Sequence, residues 1–377
     1  MTAPFCYSPS TNIDISPSGR MSPCCKFRTE LYTEQFNIAT ATIKDYSGSA
    51  FLAEIENDFA QQQWPRGCVR CQTEEQHNIA SKRQLDLTRW SQQYAAHVPQ
   101  MTGFITASVA FGNTCNLKCI TCIPDSSSRW RSEYRTIYLK DVAHYDFHKQ
   151  DFVADFVKAA PDLIHIDISG GEPFISGVAE QKHLLRHYVN SGRAATMTLH
   201  YTTNVTVWPD SEWWELWSHF KEIDMQLSID GTGAKYEYIR YPANWLQVES
   251  HVQTYLSQQQ QLSNFRLSVS HTVSAYNILY LDEFFTWCYN TGLPVPWLGR
   301  VHNPVHMRPS VWCPDAGADI VEKLKHSQHP DVVTWSRLMA NTDDSEHFDQ
   351  FCSKLRQHDQ YRGTDFDTTF PELAKYI

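Results

Sequence analysis

The sequence predicts an α/β fold: about six strand–helix units forming a partial barrel, with a small cysteine-rich region ahead of them. Three observations predict it. Between residues 104 and 301, short apolar strands alternate with amphipathic helices. On several of those strands one face is repeatedly polar. The 11 cysteines fall mostly into two groups, one before the strands and one directly after the first of them.

Taken in order, residues 1–100 are polar and hold Cys6, Gly19, Cys24, Cys25, Cys68 and Cys71. Within them Ala50–Gln63 has helical spacing, with Phe51, Leu52, Ile55 and Phe59 on one face. Ser81–His97, rich in Gln and Arg, reads as a second helix that links this region to the next. Phe104–Gly112 is the first strand of the barrel and runs into a cysteine loop. Then follow the helix Asp151–Ala160, the strand Leu163–Ser169 and the helix Gln181–Ser191, which stops at Gly192. The strand Thr196–Thr202, the helix Ser211–Phe220 and the strand Ile223–Ile229 come next. The helix Leu246–Gln259, the strand Phe265–Val273, the helix Tyr280–Asn290 and the strand Val295–Val301 complete the series. A closed TIM barrel needs eight units, so this (β/α)6 arrangement is a TIM-like barrel left open. The domain reading is therefore 1–100, 101–310 and an extension, 311–377, of helices and loops with little chemical signal.

The polar strand faces carry functional meaning. Ile164, Ile166 and Ile168 alternate with His165, Asp167 and Ser169, and Met225, Leu227 and Ile229 alternate with Gln226, Ser228 and Asp230. Leu267, Val269 and His271 alternate with Ser268, Ser270 and Thr272. Parallel strands covered on both faces read as continuous apolar runs. A face that is polar on three strands fits a wet, ligand-lined interior; the competing reading is that these residues only lie near strand ends.

Bulk properties narrow the function. A formal net charge of −10 excludes a strongly basic overall surface and makes a nucleic-acid partner unlikely to be the main one. No apolar run reaches the ~18–20 residues that cross a bilayer, and the first residues lack the basic-then-apolar pattern of a signal peptide. The expectation is a soluble, cytoplasmic protein without membrane contact. In a long chain of that kind, clustered cysteines point to metal rather than disulfides.

The chemistry is concentrated in Cys115, Cys119 and Cys122, spaced C-x3-C-x2-C in Phe-Gly-Asn-Thr-Cys-Asn-Leu-Lys-Cys-Ile-Thr-Cys. Three thiolates at that spacing can hold three corners of an iron–sulfur cube, leaving one iron open to a small molecule. Zinc competes for soft thiolates, but a structural zinc site takes four protein ligands, and no Cys or His lies close behind Cys122. Further on, Gly170-Gly171-Glu172-Pro173 ends an apolar-alternating strand. These two motifs, in this order and each after a strand, resemble the radical S-adenosylmethionine (radical SAM) enzymes.

The resemblance covers about 104–301 and implies a catalytic [4Fe–4S] cluster on Cys115, Cys119 and Cys122 that binds and reductively cleaves S-adenosylmethionine. It assigns Gly170, Gly171, Glu172 and Pro173 to the methionyl amino group. Thr202-Thr203-Asn204-Val205-Thr206 is similar to the family's Thr-Asn-Gly-Thr, with Val205 in the glycine's place, and Ser228-Ile-Asp230-Gly231 resembles its Ser-x-Asp-Gly. Asn204, Ser228 and Arg240 are then the implied contacts to ribose or carboxylate, with Asn277 a lesser one on the adenine side; the bland alternative for each is a cap or turn. Thr121 stands where many members carry an aromatic residue.

Cys6, Gly19 and Cys24 form C-x12-G-x4-C, and Cys68 and Cys71 form C-x2-C. The pattern resembles half of a SPASM domain, the twitch form, placed before the core instead of after it. It implies a second, auxiliary [4Fe–4S] cluster on Cys6, Cys24, Cys68 and Cys71, with Cys25 as an alternative to Cys24. A four-cysteine zinc site is also compatible with the spacing. The implied partners are S-adenosylmethionine, a peptide or protein substrate (or a sugar, nucleoside or amino-acid derivative) and an electron donor such as flavodoxin or ferredoxin. A different class, a non-catalytic metal-binding interaction protein, is the alternative. The remaining features read as structural: Trp213, Trp214, Trp217 and Phe220 as packing, Cys288 as a small buried hydrophobe, Cys313 and Cys352 without sequence partners, and His302 and His306 without an accompanying carboxylate motif. Tyr134, Tyr236 and Tyr238 are candidates for the border of a substrate pocket.

Overall fold

The computed structural model describes residues 4–76, 80–93, 103–145 and 151–377. Nine strands build the sheet: β1 (Asn12–Ile15), β2 (Arg20–Ser22), β3 (Phe36–Asn37), β4 (Thr106–Ala110), β5 (His165–Ser169), β6 (Thr198–Thr203), β7 (Glu222–Ser228), β8 (Phe265–Val273) and β9 (Trp297–Arg300). Their order is β3-β2-β1-β4-β5-β6-β7-β8-β9. The sheet is mostly parallel: β4–β5, β5–β6 and β8–β9 are parallel pairs, and β2 pairs antiparallel with β1 and β3. The six strands expected from the alternation are β4–β9.

The first three strands were not anticipated. β1 pairs in parallel with β4, Asn12 opposite Thr106 and Ile15 opposite Val109, so part of the cysteine-rich region extends the sheet. At four, three and two residues these strands are too short to show a reliable period.

The helices follow the predicted series with shifted ends. The helix expected over Gln181–Ser191 begins at Val178, after Gly177. The one expected over Ser211–Phe220 ends at Trp217; its start is set by Asp210, whose carboxylate accepts from the backbone N–H groups of Glu212 and Trp213. Asn244 caps Trp245–Gln261 in the same way, accepting from the Gln247 N–H. The helix read over Ser81–His97 is Lys82–Gln93; residues 94–97 lie outside the described residues.

The chain divides into two compact units interleaved along the sequence, 1–114 with 145–201 and 210–223, and 115–144 with 202–209 and 224–377. In the first, Ile13, Ile15, Ala107, Val109, Ile166, Ile168 and Leu199 form a buried sheet face. Tyr201, Phe174, Trp213 and Trp217 pack against one another with ring centroids 5.4–6.1 Å apart. Trp213, Trp217 and Phe220 are buried and Trp214 stands edge-on against Trp217, as their helical spacing anticipated. In the second unit the extension after residue 310 packs through aromatics: Tyr276 lies 5.3 Å from Phe351 and 6.1 Å from Phe366. Cys288 is buried, as expected.

The polar strand faces range from buried (His165, Ser228, Asp230) to exposed (Ser169), and several members are cross-linked. Ser268 donates to Asp224 (2.8 Å), Ser108 to Asp167 (3.3 Å), and Ser228 and Ser270 share a hydrogen bond of 3.3 Å. Part of the polarity is thus spent inside the sheet. His271 falls instead on the apolar side, packed on Phe284 at 4.4 Å with Nδ1 on the Ile229 carbonyl. Among the described residues no helix is long and apolar enough to cross a membrane.

Candidate active site

The cysteine loop is a short segment pinned through its own backbone. The Lys118 N–H donates to the Tyr241 carbonyl (2.8 Å) and the Ile120 N–H to that of Ile239 (2.7 Å), so the loop pairs with residues 239–241. Leu117 and Ile120 are buried beneath it, Ser127 donates to the Leu117 carbonyl (2.6 Å), and the Cys122 N–H closes on the Cys119 carbonyl (3.0 Å). These contacts bring Cys115, Cys119 and Cys122 within electrostatic reach of one another. Burial pushes the Cys119 thiol up to about 12, and the Arg240 guanidinium works against that rise. Burial, then Cys119 and Cys115, push the Cys122 thiol up as well. Thiols such as Cys119 and Cys122 that resist ionising on their own become thiolate ligands when a cationic centre enters.

Asn204 joins this loop to the end of β6. Its amide donates to the Cys115 sulfur (3.7 Å) and to Asn116 Oδ1 (2.9 Å), and its Oδ1 accepts from the N–H (3.0 Å) and hydroxyl (2.5 Å) of Thr206. Asn116 closes the ring by donating to Thr206 Oγ1 at 2.7 Å. The Leu117 N–H also donates to the Cys115 sulfur, at 3.4 Å. Val205, which replaces the expected glycine, sits at φ 67° and is fully buried. A β-branched residue in that region is a true outlier, so the backbone keeps the glycine conformation after the glycine itself is gone.

Ser228 lies at the end of β7, buried beside Ser270. Arg240 forms an ion pair with Asp230 at 2.8 Å, both groups buried, while its Nε has no hydrogen-bond partner among the described residues. Burial opposes the charge on Arg240, and Asp230, Cys119 and Cys122 outweigh it. Asn277 is committed to the backbone: it donates to the Asp230 and Thr272 carbonyls (3.1 and 2.9 Å) and accepts from the Ser274 N–H (2.8 Å). The sequence reading missed Asn116, although it lies inside the cysteine motif, and the Asp230–Arg240 pair, which joins residues ten positions apart through the fold.

The turn Gly170–Pro173 belongs to the first unit, where it closes on the strand that leads toward the cysteines. The Gly171 N–H donates to the Gly112 carbonyl (3.2 Å) and the Glu172 N–H to that of Thr114 (2.9 Å). A Cβ on Gly171 would stand 2.0 Å from the Thr114 carbonyl oxygen, and one on Gly170, at φ +119°, 2.8 Å from that of Gly112. Both glycines are therefore required by close backbone approach. Thr114 directly precedes Cys115 in the chain. The Glu172 side chain is fully buried and accepts from the Phe174 N–H at 3.4 Å.

The N-terminal cysteines also converge. Cys6 is within electrostatic reach of Cys71, Cys24 of Cys6, and Cys68 of both Cys6 and Cys71. Burial is the largest influence on each and pushes each thiol up. Cys25 is exposed, and the charges acting on it come from Lys82, Asp14, Lys26 and Asp86. Arg83 stands by these thiols, in a two-pronged pair with Glu75 (2.9 and 2.6 Å) and donating to the Phe5 carbonyl (2.8 Å). Among the described residues no group of three or more His, Cys, Asp or Glu is arranged to hold a metal ion. The two constellations are all-thiol, a donor set suited to iron–sulfur clusters or zinc.

Beside Cys122 lies a cavity of about 190 Å³ lined by Ile120, Ile123, Trp130, Tyr134, Tyr138 and Met307, among others. Tyr134 lines this cavity; Tyr236 and Tyr238 are buried elsewhere, Tyr236 donating to the Asn204 carbonyl (3.2 Å). His306 is buried, and Cys352 lies within electrostatic reach of Cys313.

No protein-family model matches the chain, and no curated protein matches it. Among solved structures it is similar to native anSMEcpe with bound AdoMet, at 16% identity and a TM-score of 0.41 over 53% of each chain. It is similar also to Streptococcus suis SuiB bound to the precursor peptide SuiA, at 11% identity and a TM-score of 0.37 over 76% of this chain and 61% of that one. A third likeness is to TYW1 with a lysine-pyruvate adduct, at 12% identity and a TM-score of 0.34 over 60% and 72%. The chain spans about half the length of the first structures it matches, 53% of anSMEcpe. Likenesses this distant fix neither chemistry nor substrate.

Two outcomes follow for the loops. Gly171→Ala loses about 2–3 kcal/mol of stability in chemical denaturation, because the clashing atom is backbone and cannot swing away; an unchanged midpoint would contradict the close approach. At position 205 the usual ranking reverses: Val205→Gly is more stable than Val205→Ala by about 1 kcal/mol, since glycine alone relieves the left-handed strain. A more stable alanine variant would show that Val205 is unstrained.

Proposed function

We propose that the chain is a radical S-adenosylmethionine enzyme, with Cys115, Cys119 and Cys122 as the ligands of a [4Fe–4S] cluster whose fourth iron takes the amino and carboxylate groups of S-adenosylmethionine. The observation that supports this best is the loop of three thiols, Cys119 buried and Cys115 and Cys122 half-buried, with two hydrogen-bond donors on the Cys115 sulfur, from Leu117 and Asn204, and a buried arginine within electrostatic reach. When bound, the cluster supplies the electron that cleaves the sulfonium to methionine and a 5′-deoxyadenosyl radical, which takes a carbon-bound hydrogen from the substrate.

The chain's own residues hold and orient. The donors on Cys115 favour its thiolate and tune the site's potential. Loading releases protons from thiols that burial keeps neutral. For Gly170–Pro173 the role is the one the resemblance implies, backbone carbonyls accepting from the methionyl amino group, with Glu172 adding negative character. Ser228 and Asn204 serve the ribose or carboxylate, and Arg240 supplies a cation for the carboxylate.

Cys6, Cys24, Cys68 and Cys71 hold an auxiliary [4Fe–4S] cluster of the twitch type. Cys24 is preferred to Cys25 because it lies within reach of Cys6, whereas Cys25 is exposed. The substrate class implied by that auxiliary type is a peptide or protein, with a small molecule as the alternative; flavodoxin or ferredoxin is the kind of electron donor required.

The test is anaerobic turnover. The chain reconstituted with iron and sulfide receives S-adenosylmethionine and dithionite, and 5′-deoxyadenosine is quantified beside Cys119→Ala. Product that depends on Cys119 is expected. An iron-loaded chain yielding no more than the variant would favour a non-catalytic metal-binding role.

A further inference from the structure

A second set of buried charges beside the cysteine loop, centred on Glu133, is not used by the chemistry above. Glu133 is fully buried, and four groups meet on or around it. Its Oε1 accepts from Arg362 Nε (2.7 Å) and His358 Nδ1 (2.6 Å), and its Oε2 pairs with Lys118 Nζ at 2.8 Å. His358 and Arg362 lie on the helix Phe348–Arg362, whose side chains here are 0% and 1% exposed. Tyr138 shares a hydrogen bond of 3.1 Å with His358 Nε2. The Arg362 guanidinium stacks near Trp130 (5.1 Å) and Tyr241 (5.3 Å), which help to keep water from the group.

Lys118 lies within the cysteine motif, directly before Cys119. It is gripped at three points: its N–H by the Tyr241 carbonyl (2.8 Å), its carbonyl by Arg362 Nη2 (2.8 Å), and its ammonium by Glu133. Burying an ion group of this kind is a costly way to gain stability, and an apolar replacement often does as well. What sets this group apart is its place: the loop it holds is the one that presents the thiols.

We propose that Arg362 is a positioning residue for the cysteine loop: directly at the Lys118 carbonyl, and through Glu133 at the Lys118 ammonium, it fixes the segment carrying Cys119 and leaves one surplus positive charge acting on that thiol. The surplus follows from the members. Glu133 is anionic: burial works against its charge, and His358, Arg362 and Lys118 prevail, holding the carboxyl at about 2. Burial keeps His358 on the neutral side. Two cations and one anion remain, and the Arg362 charge acts on Cys119. A nearby positive charge favours the reduced, more negative state of a cluster, as charge and hydrogen bonding around the sulfurs do generally.

The inference rests on the cluster reading, and its test separates the two. The full chain carrying Cys68→Ala and Cys71→Ala, so that bound iron reports on the Cys115–Cys122 loop, is reconstituted with iron and sulfide. Iron loss to a chelator and the midpoint potential of the cluster are measured for that parent, Arg362→Gln and Glu133→Gln. Both variants are expected to lose iron about tenfold faster. Their potentials move in opposite directions, down when the Arg362 charge is removed and up when the Glu133 charge is removed. A purely structural role would not give opposite signs. Variants that keep iron as the parent does, at its potential, would overturn the proposal while leaving the cluster reading intact. A parent that binds no iron at this loop would sink the cluster reading itself. Should Arg362→Gln fail to fold, Arg362→Lys replaces it; that variant keeps the charge but loses the fork, and iron retention equal to the parent's would overturn the clamp.

Discussion

The organising constraint of the second unit is that three thiols, one buried and two half-buried, are held together on one short loop. Such a loop has few contacts of its own with which to hold a shape. Its conformation is imposed from outside, by the backbone of residues 239–241, by the Asn204 amide at the Cys115 sulfur, and by Lys118 held between Glu133 and Arg362. Each main-chain hydrogen bond contributes only about 0.5–1.5 kcal/mol, so several are needed to hold a loop whose thiols gain from burial only when a cationic centre joins them. The same reasoning explains why the end of β6, the segment after β7 and the C-terminal helix all lead to this place.

The first unit solves a related problem differently. Its Gly-Gly turn approaches the carbonyls of Gly112 and Thr114 so closely that no side chain fits. Where the second unit relies on side-chain clasps, the turn relies on their removal. Val205 lies between these solutions: it keeps a glycine's backbone and adds a buried side chain, which exchanges strain for packing.

Much of this was legible in the sequence because it is local. β4–β9 and their helices each carry their own period, caps and stops, and the cysteine and glycine motifs are contiguous. Gly170 and Gly171 could be read as a turn from composition alone. What was not legible is what the fold brings together. β1 is four residues long and its pairing with β4 has no local signature. Arg240 reads from sequence as a partner for a cofactor carboxylate, and nothing in the sequence shows that the fold pairs it with Asp230. The 311–377 extension looked chemically silent, although it supplies His358 and Arg362 to the loop. Nothing in the spacing of Lys118, Glu133 and Arg362 marks them as neighbours; burial makes them so. The polar strand faces read from sequence as a ligand-lined interior, but several of their members answer one another across the sheet.

The central claim is that the Cys115–Cys122 loop carries an iron–sulfur cluster with one open iron. The most direct measurement is the electron paramagnetic resonance spectrum of the reduced, reconstituted chain, recorded with and without S-adenosylmethionine. The account predicts a cluster signal that changes when S-adenosylmethionine is added and whose responsive component is missing in Cys122→Ala. A signal indifferent to S-adenosylmethionine, or one unaltered by that substitution, would contradict it.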